Sequence, residues 1–268
     1  MGGFNTDLFE RAGFTVVTKE KVNYIDPKAA EEYLRSGFKP REEVETEAQF
    51  AVEKISLPPC KSVLDIGCGN GVAAVKLSGR GYNVTALDIS PVFLEAGKRL
   101  EEEQGSAGGR GTITWVHADF FSCECQPHDA ALLLDPGLEV ASQRFIRKLS
   151  QIIKPGGAFF LRYKQGANGT TNWPFTRWEC NPSSGSFWLE RHTLDRVSGT
   201  VHDEWITIDF SNRTVTLERI DDRLVLFSHF VEMMSESGFA LTGAWGNVKG
   251  APVTENSRTY ALFARSPN

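Results

Sequence analysis

The chain has 268 residues, of which 41% are hydrophobic and 24% charged, the composition of a globular protein able to bury a sizeable core. Its formal net charge of −5 offers no overall basic field for a phosphate backbone, which sets nucleic acid aside as a partner unless a local basic patch stands inside the acidic total. No apolar run approaches the roughly 20 residues of a membrane helix, and the start "MGGFNTDLFERAGF" lacks the apolar centre of a secretory signal, so a cytoplasmic protein without membrane contact is expected.

The same start fits the short myristoylation pattern through Gly2 and Thr6, a pattern that arises often by chance. Next, "DPKAAEEYLRSGF" predicts a short helix capped by Asp26, with Pro27 in its first turn and an end at Gly37. Residues 41 to 56 gather Val44, Ala48, Ala51, Val52 and Ile55 on one helical face, with Pro40 where that helix begins. The chain is thus expected to open with helices, before any strand. From Lys61 onward short apolar strands alternate with helices: "KSVLDI", "YNVTALDI", "TITWVHA", "DAALLLD" and "GAFFLRY" as strands, with "GVAAVKLSGRG", "SPVFLEAGKRLEEEQ" and "LEVASQRFIRKLSQII" as helices. That alternation argues for a parallel sheet covered on both faces. Residues 164 to 185 read as a long loop, and "SFWLERHTL", "TVHDEWITIDF" and "TVTLERIDDRLVLF" as an antiparallel meander. A helix, "SHFVEMMSESGF", and two strands, "ALTGAWG" and "TYALFAR", close the chain. The five cysteines, Cys60, Cys68, Cys123, Cys125 and Cys180, are an odd number in a chain without a secretory signal, so thiols are expected; "CEC" at 123 to 125 reads as structural or incidental, and no metal site is expected.

The segment "VLDIGCGNG" at 63 to 71 places three glycines directly after an apolar strand. Gly67, Gly69 and Gly71 permit backbone angles closed to other residues and let a ligand approach the main chain, while the helix that follows presents unpaired amides. A dinucleotide would set its pyrophosphate there and use an acid after the second strand, here Asp88, on a ribose. Two residues argue against it. The third small position of G-x-G-x-x-G/A falls on Val72, and Asp65 would point a negative charge at two phosphates. A cationic ligand without phosphate suits the acid better, and S-adenosylmethionine carries an ammonium, a sulfonium, a ribose diol and an adenine.

Through "VLDIGCGNG", "VTALDIS", "HADFF" and "KPGGAFFL", in that order within residues 61 to 163, the sequence resembles the class I S-adenosylmethionine-dependent methyltransferases of the small-molecule type. The resemblance implies that the turn of Gly67, Cys68, Gly69 and Gly71 passes under the methionine end and that Asp65 helps hold the amino group. It further implies that Asp88 takes the ribose hydroxyls with Ile89 beside the adenine, and that Asp119 receives the adenine amino group with Phe120 adjacent. Taken singly, Asp88 could cap a helix and Asp119 could form a turn.

The acceptor is expected beyond the ends of the fourth and fifth strands, beneath the N-terminal helices and the insertion. Transfer from a sulfonium is an in-line displacement that rests on alignment and on excluding water. An amine acceptor has only to arrive neutral, whereas a hydroxyl or carbon acid usually needs a base. Asp135 in "LLLDPG" stands where amino-directed nucleic-acid methyltransferases carry an acid or amide before two prolines and an aromatic, but Gly137 and Leu138 break that pattern. It is either a turn residue or a group that orients a substrate amine. Tyr163 either lines the pocket or ends the sheet. His192 and His202 are bases or ordinary strand histidines, and His117 is structural. Tyr24, Trp173 and Trp178 form an aromatic wall or simply pack a loop.

These readings together predict an α/β protein: a Rossmann-like, doubly wound, mostly parallel seven-stranded sheet with an N-terminal helical lid and an inserted antiparallel β cap. The boundaries are 1–60 for the lid, 61–163 for the cofactor core, 164–227 for the cap and 228–268 for the closing helix and strands. The expected activity is methyl transfer from S-adenosyl-L-methionine to a small molecule at nitrogen, leaving S-adenosyl-L-homocysteine, by a monomer or homodimer. O- or C-methyl transfer, methyl transfer to protein side chains, a non-catalytic S-adenosylmethionine-binding subunit and an NAD-dependent oxidoreductase are the alternatives, the last disfavoured by Asp65 and Val72.

Overall fold

The computed structural model describes residues 5–19, 24–36, 40–58, 61–104, 111–134, 140–163, 174–181, 186–254, 257 and 259–267. Among these the chain forms, in order, α1 (Asp7–Arg11), β1 (Thr15–Lys19), α2 (Pro27–Ser36), α3 (Arg41–Ile55), β2 (Ser62–Ile66), α4 (Val72–Ser78), β3 (Asn83–Asp88), α5 (Pro91–Gln104), β4 (Ile113–His117) and β5 (His128–Leu133). It continues with α6 (Gln143–Ile152), β6 (Ile153–Tyr163), β7 (Phe175–Asn181), β8 (Ser186–Asp195), β9 (Thr200–Asp209), β10 (Thr214–Arg223), α7 (Phe227–Glu236), β11 (Phe239–Trp245) and β12 (Thr259–Arg265). Contacts divide the chain into two compact units, Asn23–Lys164 with Leu226–Asn268, and Met1–Val22 with Gln165–Val225. No helix among the described residues is long and apolar enough to cross a membrane.

The larger unit holds a seven-stranded sheet in the order β11-β12-β6-β5-β2-β3-β4. Strands β2 to β6 pair in parallel, and β12 runs antiparallel to both β6 and β11. The Rossmann-like architecture expected from the alternation is therefore present. Its central strands are buried on both faces: Val63, Leu64 and Ile66 on β2 and Ala130 to Leu133 on β5 are each at most 1% exposed. On one face Ala73, Ala74 and Leu77 of α4 and Ala48 and Ala51 of α3 join the cluster around Val63 and Phe160, the four alanines letting the helices lie close. The amphipathic α6 is capped by Ser142, whose hydroxyl accepts the Phe145 amide at 3.2 Å, and it sets the Phe145 ring 6.1 Å from Phe159. Because β3 and β4 are added on one side of β2 and β5 and β6 on the other, the chain direction switches between β2 and β5. That crevice, at the carboxyl ends of the strands, is where open α/β sheets bind ligands.

The smaller unit is a five-stranded sheet in the order β1-β10-β9-β8-β7, in which β1 is parallel to β10 and the other pairs are antiparallel. Ile206, Ile208, Val215 and Leu217 form its core, with Phe9, Phe14, Val16, Phe187 and Leu189 packed on them. Three elements differ from the sequence expectation, the first being the short α1. The chain does not open with helices alone, because β1 precedes α2 and α3; and residues 175 to 181, expected within a long loop, form β7 against β8. The β-branched run Thr15-Val16-Val17-Thr18 explains β1 locally. Its partner lies far along the chain, with Thr15 opposite Thr214 and the Arg213 guanidinium donating to the carbonyls of Ala12 and Gly13.

The cysteines also depart from expectation. Cys123 and Cys125 are joined in a disulfide with their Cα atoms 5.5 Å apart, while Cys68 and Cys180 are thiols and Cys60 lies outside the described residues.

One packing contact ties α4, α5 and β4 together. The ring of Trp115 lies against Gly71 and Gly97, so close that a Cβ on either would stand 2.4 or 2.5 Å from it, and its indole N–H donates to Glu101 Oε2 at 2.8 Å. Gly97→Ala therefore overpacks the site and is expected to cost about 1–3 kcal/mol. Urea unfolding of the variant measures this, and an unchanged midpoint would show that the indole simply moves aside.

Candidate cofactor site

The site grows from the turn between β2 and α4. Gly67, Gly69 and Gly71 have φ of +64°, +54° and +75°, a region that L side chains rarely occupy. A Cβ on Gly67 would meet nothing within 4 Å, so the turn leaves bare backbone facing open space there. Gly71 has a second reason to be glycine, the Trp115 contact described above. Cys68 is buried beside them, with its amide donated to Leu87 O at 3.0 Å; burial, followed by the charges of Asp65 and Asp88, pushes its thiol well above the ordinary range. It is a packed thiol, not a nucleophile.

Two carboxyls flank the turn. Asp65, next to last on β2, is 2% exposed, and its carboxyl accepts the Ala74 amide, one of the unpaired donors of the α4 N-terminus. Among the described residues its Oδ2 has no hydrogen-bond partner. Burial, and then the nearby charge of Asp88, raise Asp65 to about 7. Asp88 ends β3 at 7% exposure, accepting the Gly69 amide on Oδ2 and the Ser90 amide on Oδ1, each at 2.8 Å. Burial raises Asp88 as well, and the amides of Ser90, Gly69 and Ile89 oppose the shift. Two buried acids at a glycine turn repel a pyrophosphate and suit a cation and a diol.

The remaining predicted cofactor residues divide. Ile89 is 37% exposed and offers an apolar surface beside Asp88, and its carbonyl is 3.0 Å from His117 Nε2, which gives His117 an anchoring place. Asp119 Oδ2 accepts the Ser122 amide at 3.1 Å, so this acid also shapes its own turn. Phe120 is 4% exposed with its ring 5.2 Å from Phe145, in the core under α6. Ser90, not among the site residues expected from the sequence, is fully buried, and its Oγ has no partner among the described residues. Its signal was its place between the acid and Pro91, at the start of α5. An unpartnered carboxylate oxygen and an unpartnered hydroxyl, beside a glycine that leaves open space, fit a ligand with an ammonium and hydroxyls.

Asp135 and Trp173 lie outside the described residues. Tyr163 is 2% exposed, its ring stacked 4.9 Å from Phe230, which makes it a core ring at the end of β6. Tyr24 belongs to the larger unit and lies 5.0 Å from Tyr33 and 5.4 Å from Phe93 of α5, the helix that follows Asp88. His192, His202 and Trp178 belong to the smaller unit. Trp178 is 65% exposed and stacks on Phe187 at 5.7 Å, and the partly exposed His202 has its Nδ1 2.8 Å from Asp221. His192 is fully buried between two acids, with Nδ1 2.5 Å from Asp203 and Nε2 2.6 Å from Glu190. Burial lowers its proton affinity, but the two carboxylates prevail and hold it as an imidazolium with a pKa of about 9. A cleft of about 670 Å³, for which the sequence offered no candidate, opens between the start of α3 and the β11–β12 connection, with Glu43, Thr46, Glu47, Asn247 and Tyr260 in its wall.

Residues 63–157 match a family model described as a methyltransferase domain. The cypemycin N-terminal methyltransferase of Streptomyces sp is 26% identical over 215 residues, 74% of this chain and 80% of the relative. Among solved structures, the CcbJ methyltransferase from Streptomyces caelestis superposes with a TM-score of 0.69 at 16% identity, over 92% of this chain and 100% of the other. The sugar N-methyltransferase KedS8 from Streptoalloteichus sp ATCC 53650 does so with 0.61 at 16% identity, over 88% and 92%. Likeness at that identity concerns the fold. With other curated relatives the chain shares about half their length or less, between 38% and 50% for three of them.

The His192 cluster gives a pH signature. Its folded pKa of about 9 stands above the ordinary 6.5, so its stabilisation is complete below pH 6.5 and is lost as pH rises through 9. Between pH 6 and pH 10 the wild-type protein should lose about 1–3 kcal/mol relative to His192→Gln in urea unfolding. Parallel pH profiles for the two proteins would show that the charge contributes nothing.

Proposed function

We propose, for a chain that belongs to the class I S-adenosylmethionine-dependent methyltransferases, that it moves a methyl group from S-adenosylmethionine to the nitrogen of a small-molecule amine. The observation that carries the cofactor part is the pair of buried acids at the glycine turn, with Asp65 Oδ2 unpartnered. Asp65 would hold the ammonium, Asp88 the ribose hydroxyls through lone pairs its amide donors leave over, and Ile89 one face of the adenine, with Asp119 at its amino group. When bound, the cofactor supplies a methyl group already activated on a sulfonium.

Nitrogen is favoured by the state of the candidate bases. His192 is held as an imidazolium by Asp203 and Glu190, and Tyr163 is stacked in the core, so neither is placed to take a proton from a hydroxyl or a carbon acid. An amine that arrives neutral needs no such base; it needs alignment and the exclusion of water. Support also comes from two names among the similar proteins, a cypemycin N-terminal methyltransferase and a sugar N-methyltransferase.

S-adenosylmethionine and S-adenosylhomocysteine at about one hundred times their dissociation constants should each stabilise the protein by about 2.7 kcal/mol, read as a rise in unfolding temperature, and NAD should not. Asp88→Asn is expected to weaken S-adenosylmethionine binding about 10–100-fold through the loss of charge-assisted hydrogen bonds. Methyl-labelled donor offered with amino sugars and amino-terminal peptides tests the acceptor. Label appearing only in hydroxyl or carbon acceptors would overturn the nitrogen assignment and leave the cofactor assignment standing.

A further inference from the structure

Asp65 is the group of the cofactor site that the fold leaves incomplete. Its side chain is almost wholly buried, and its strand neighbours are Ala86 on β3 and Leu132 on β5, both fully buried. From α4 it receives the Ala74 amide, and the first turn of that helix carries no charged side chain. From the turn Cys68 contributes a buried thiol, and from β3 Asp88 contributes a like charge. His117 acts on Asp88 from β4, and the other buried acid described in this unit, Glu47 on α3, accepts a hydrogen bond from the Tyr260 hydroxyl at 2.8 Å. No described cation faces Asp65.

Two carboxyls in one dry wall do not both ionise readily without a counterion. Hydrogen bonding decides which of them carries the proton. Asp88 has backbone amides on both oxygens, which stabilise its charge, whereas Asp65 has one amide donor and one oxygen with no partner. We infer that Asp65 carries a proton on Oδ2 in the free protein and releases it to solvent when the ammonium of S-adenosylmethionine arrives, so that cofactor binding exchanges a proton for a cation. The inference rests on the cofactor assignment above. The balance is simple: the O–H bond of Asp65 breaks, its electron pair stays on the carboxylate, the proton goes to buffer, and the bound ammonium supplies the counter-charge. The rise of Asp65 to about 7 agrees with this microstate. Affinity then rises with pH as Asp65 ionises and falls once the free amino group loses its own proton near pH 8, a typical α-amino value.

The experiment is titration calorimetry of the whole protein with S-adenosylmethionine at pH 6 and pH 8, each in two buffers of different ionisation enthalpy. At pH 6 the heats should differ by an amount equal to nearly one proton released per ligand bound, and the release should shrink at pH 8. Methylthioadenosine, which lacks the amino-acid end, should bind without releasing a proton. Asp65→Asn should bind S-adenosylmethionine without release, and if that variant does not fold, the methylthioadenosine comparison on the wild-type protein decides. Binding at pH 6 with equal heats in both buffers, or equal release with methylthioadenosine, overturns the inference alone. No binding at either pH overturns the cofactor assignment, and the inference with it.

Discussion

The hydrogen bond from the Gly69 amide to Asp88 Oδ2 is the contact on which the carboxyl end of the parallel sheet depends. It joins the turn after β2 to the end of β3, so two strands that pair along their length are also locked together at their carboxyl ends. Around it the requirements interlock. Gly69 reaches the acid because its φ is positive, Gly71 opens α4 while leaving room for Trp115, and Trp115 in turn reaches Gly97 of α5. A change of shape at one of these positions is transmitted to the others, because interiors packed this tightly have no slack to absorb it.

The two units treat buried charge in opposite ways. In the smaller one, His192 meets Asp203 and Glu190 directly, so the charges complete one another within the fold. In the larger one, Asp65 and Asp88 stand together with backbone amides as their partners, and Asp65 keeps an unpartnered oxygen. A buried polar atom without a partner costs about 1–3 kcal/mol. In the larger unit that cost is left standing at Asp65, whereas in the smaller one the His192 cluster removes it within the sheet.

Legibility in the sequence followed the range of the interactions. The parallel core was readable because its signals are local: apolar runs such as "ALLL", small residues in α4, and glycine and acid at fixed offsets after a strand. Ser90 was missed because a serine before a proline reads as a helix start, and only burial shows that its hydroxyl has no partner. β1 was missed because five residues of Thr, Val and Lys become a strand only through β10. Tyr163 was expected at a strand end and Phe120 beside the adenine, but alternation along a chain does not say which rings turn into the core. The charge state of His192 depends on a cross-strand acid eleven residues away together with one two residues away, a pairing set by register and not by composition.

The pairing of Thr15 with Thr214 has a consequence for biosynthesis. About 200 residues separate them, so at translation rates of roughly 5–20 residues per second β1 exists for some 10–40 s before the strand that receives it has been made. During that time β1 cannot form its native ladder, and closing so long a loop carries an entropic cost that local hairpins such as β8–β9 do not meet. Native pairing of β1 therefore waits for β10, so a segment made well before its partner finds its place only after that partner exists.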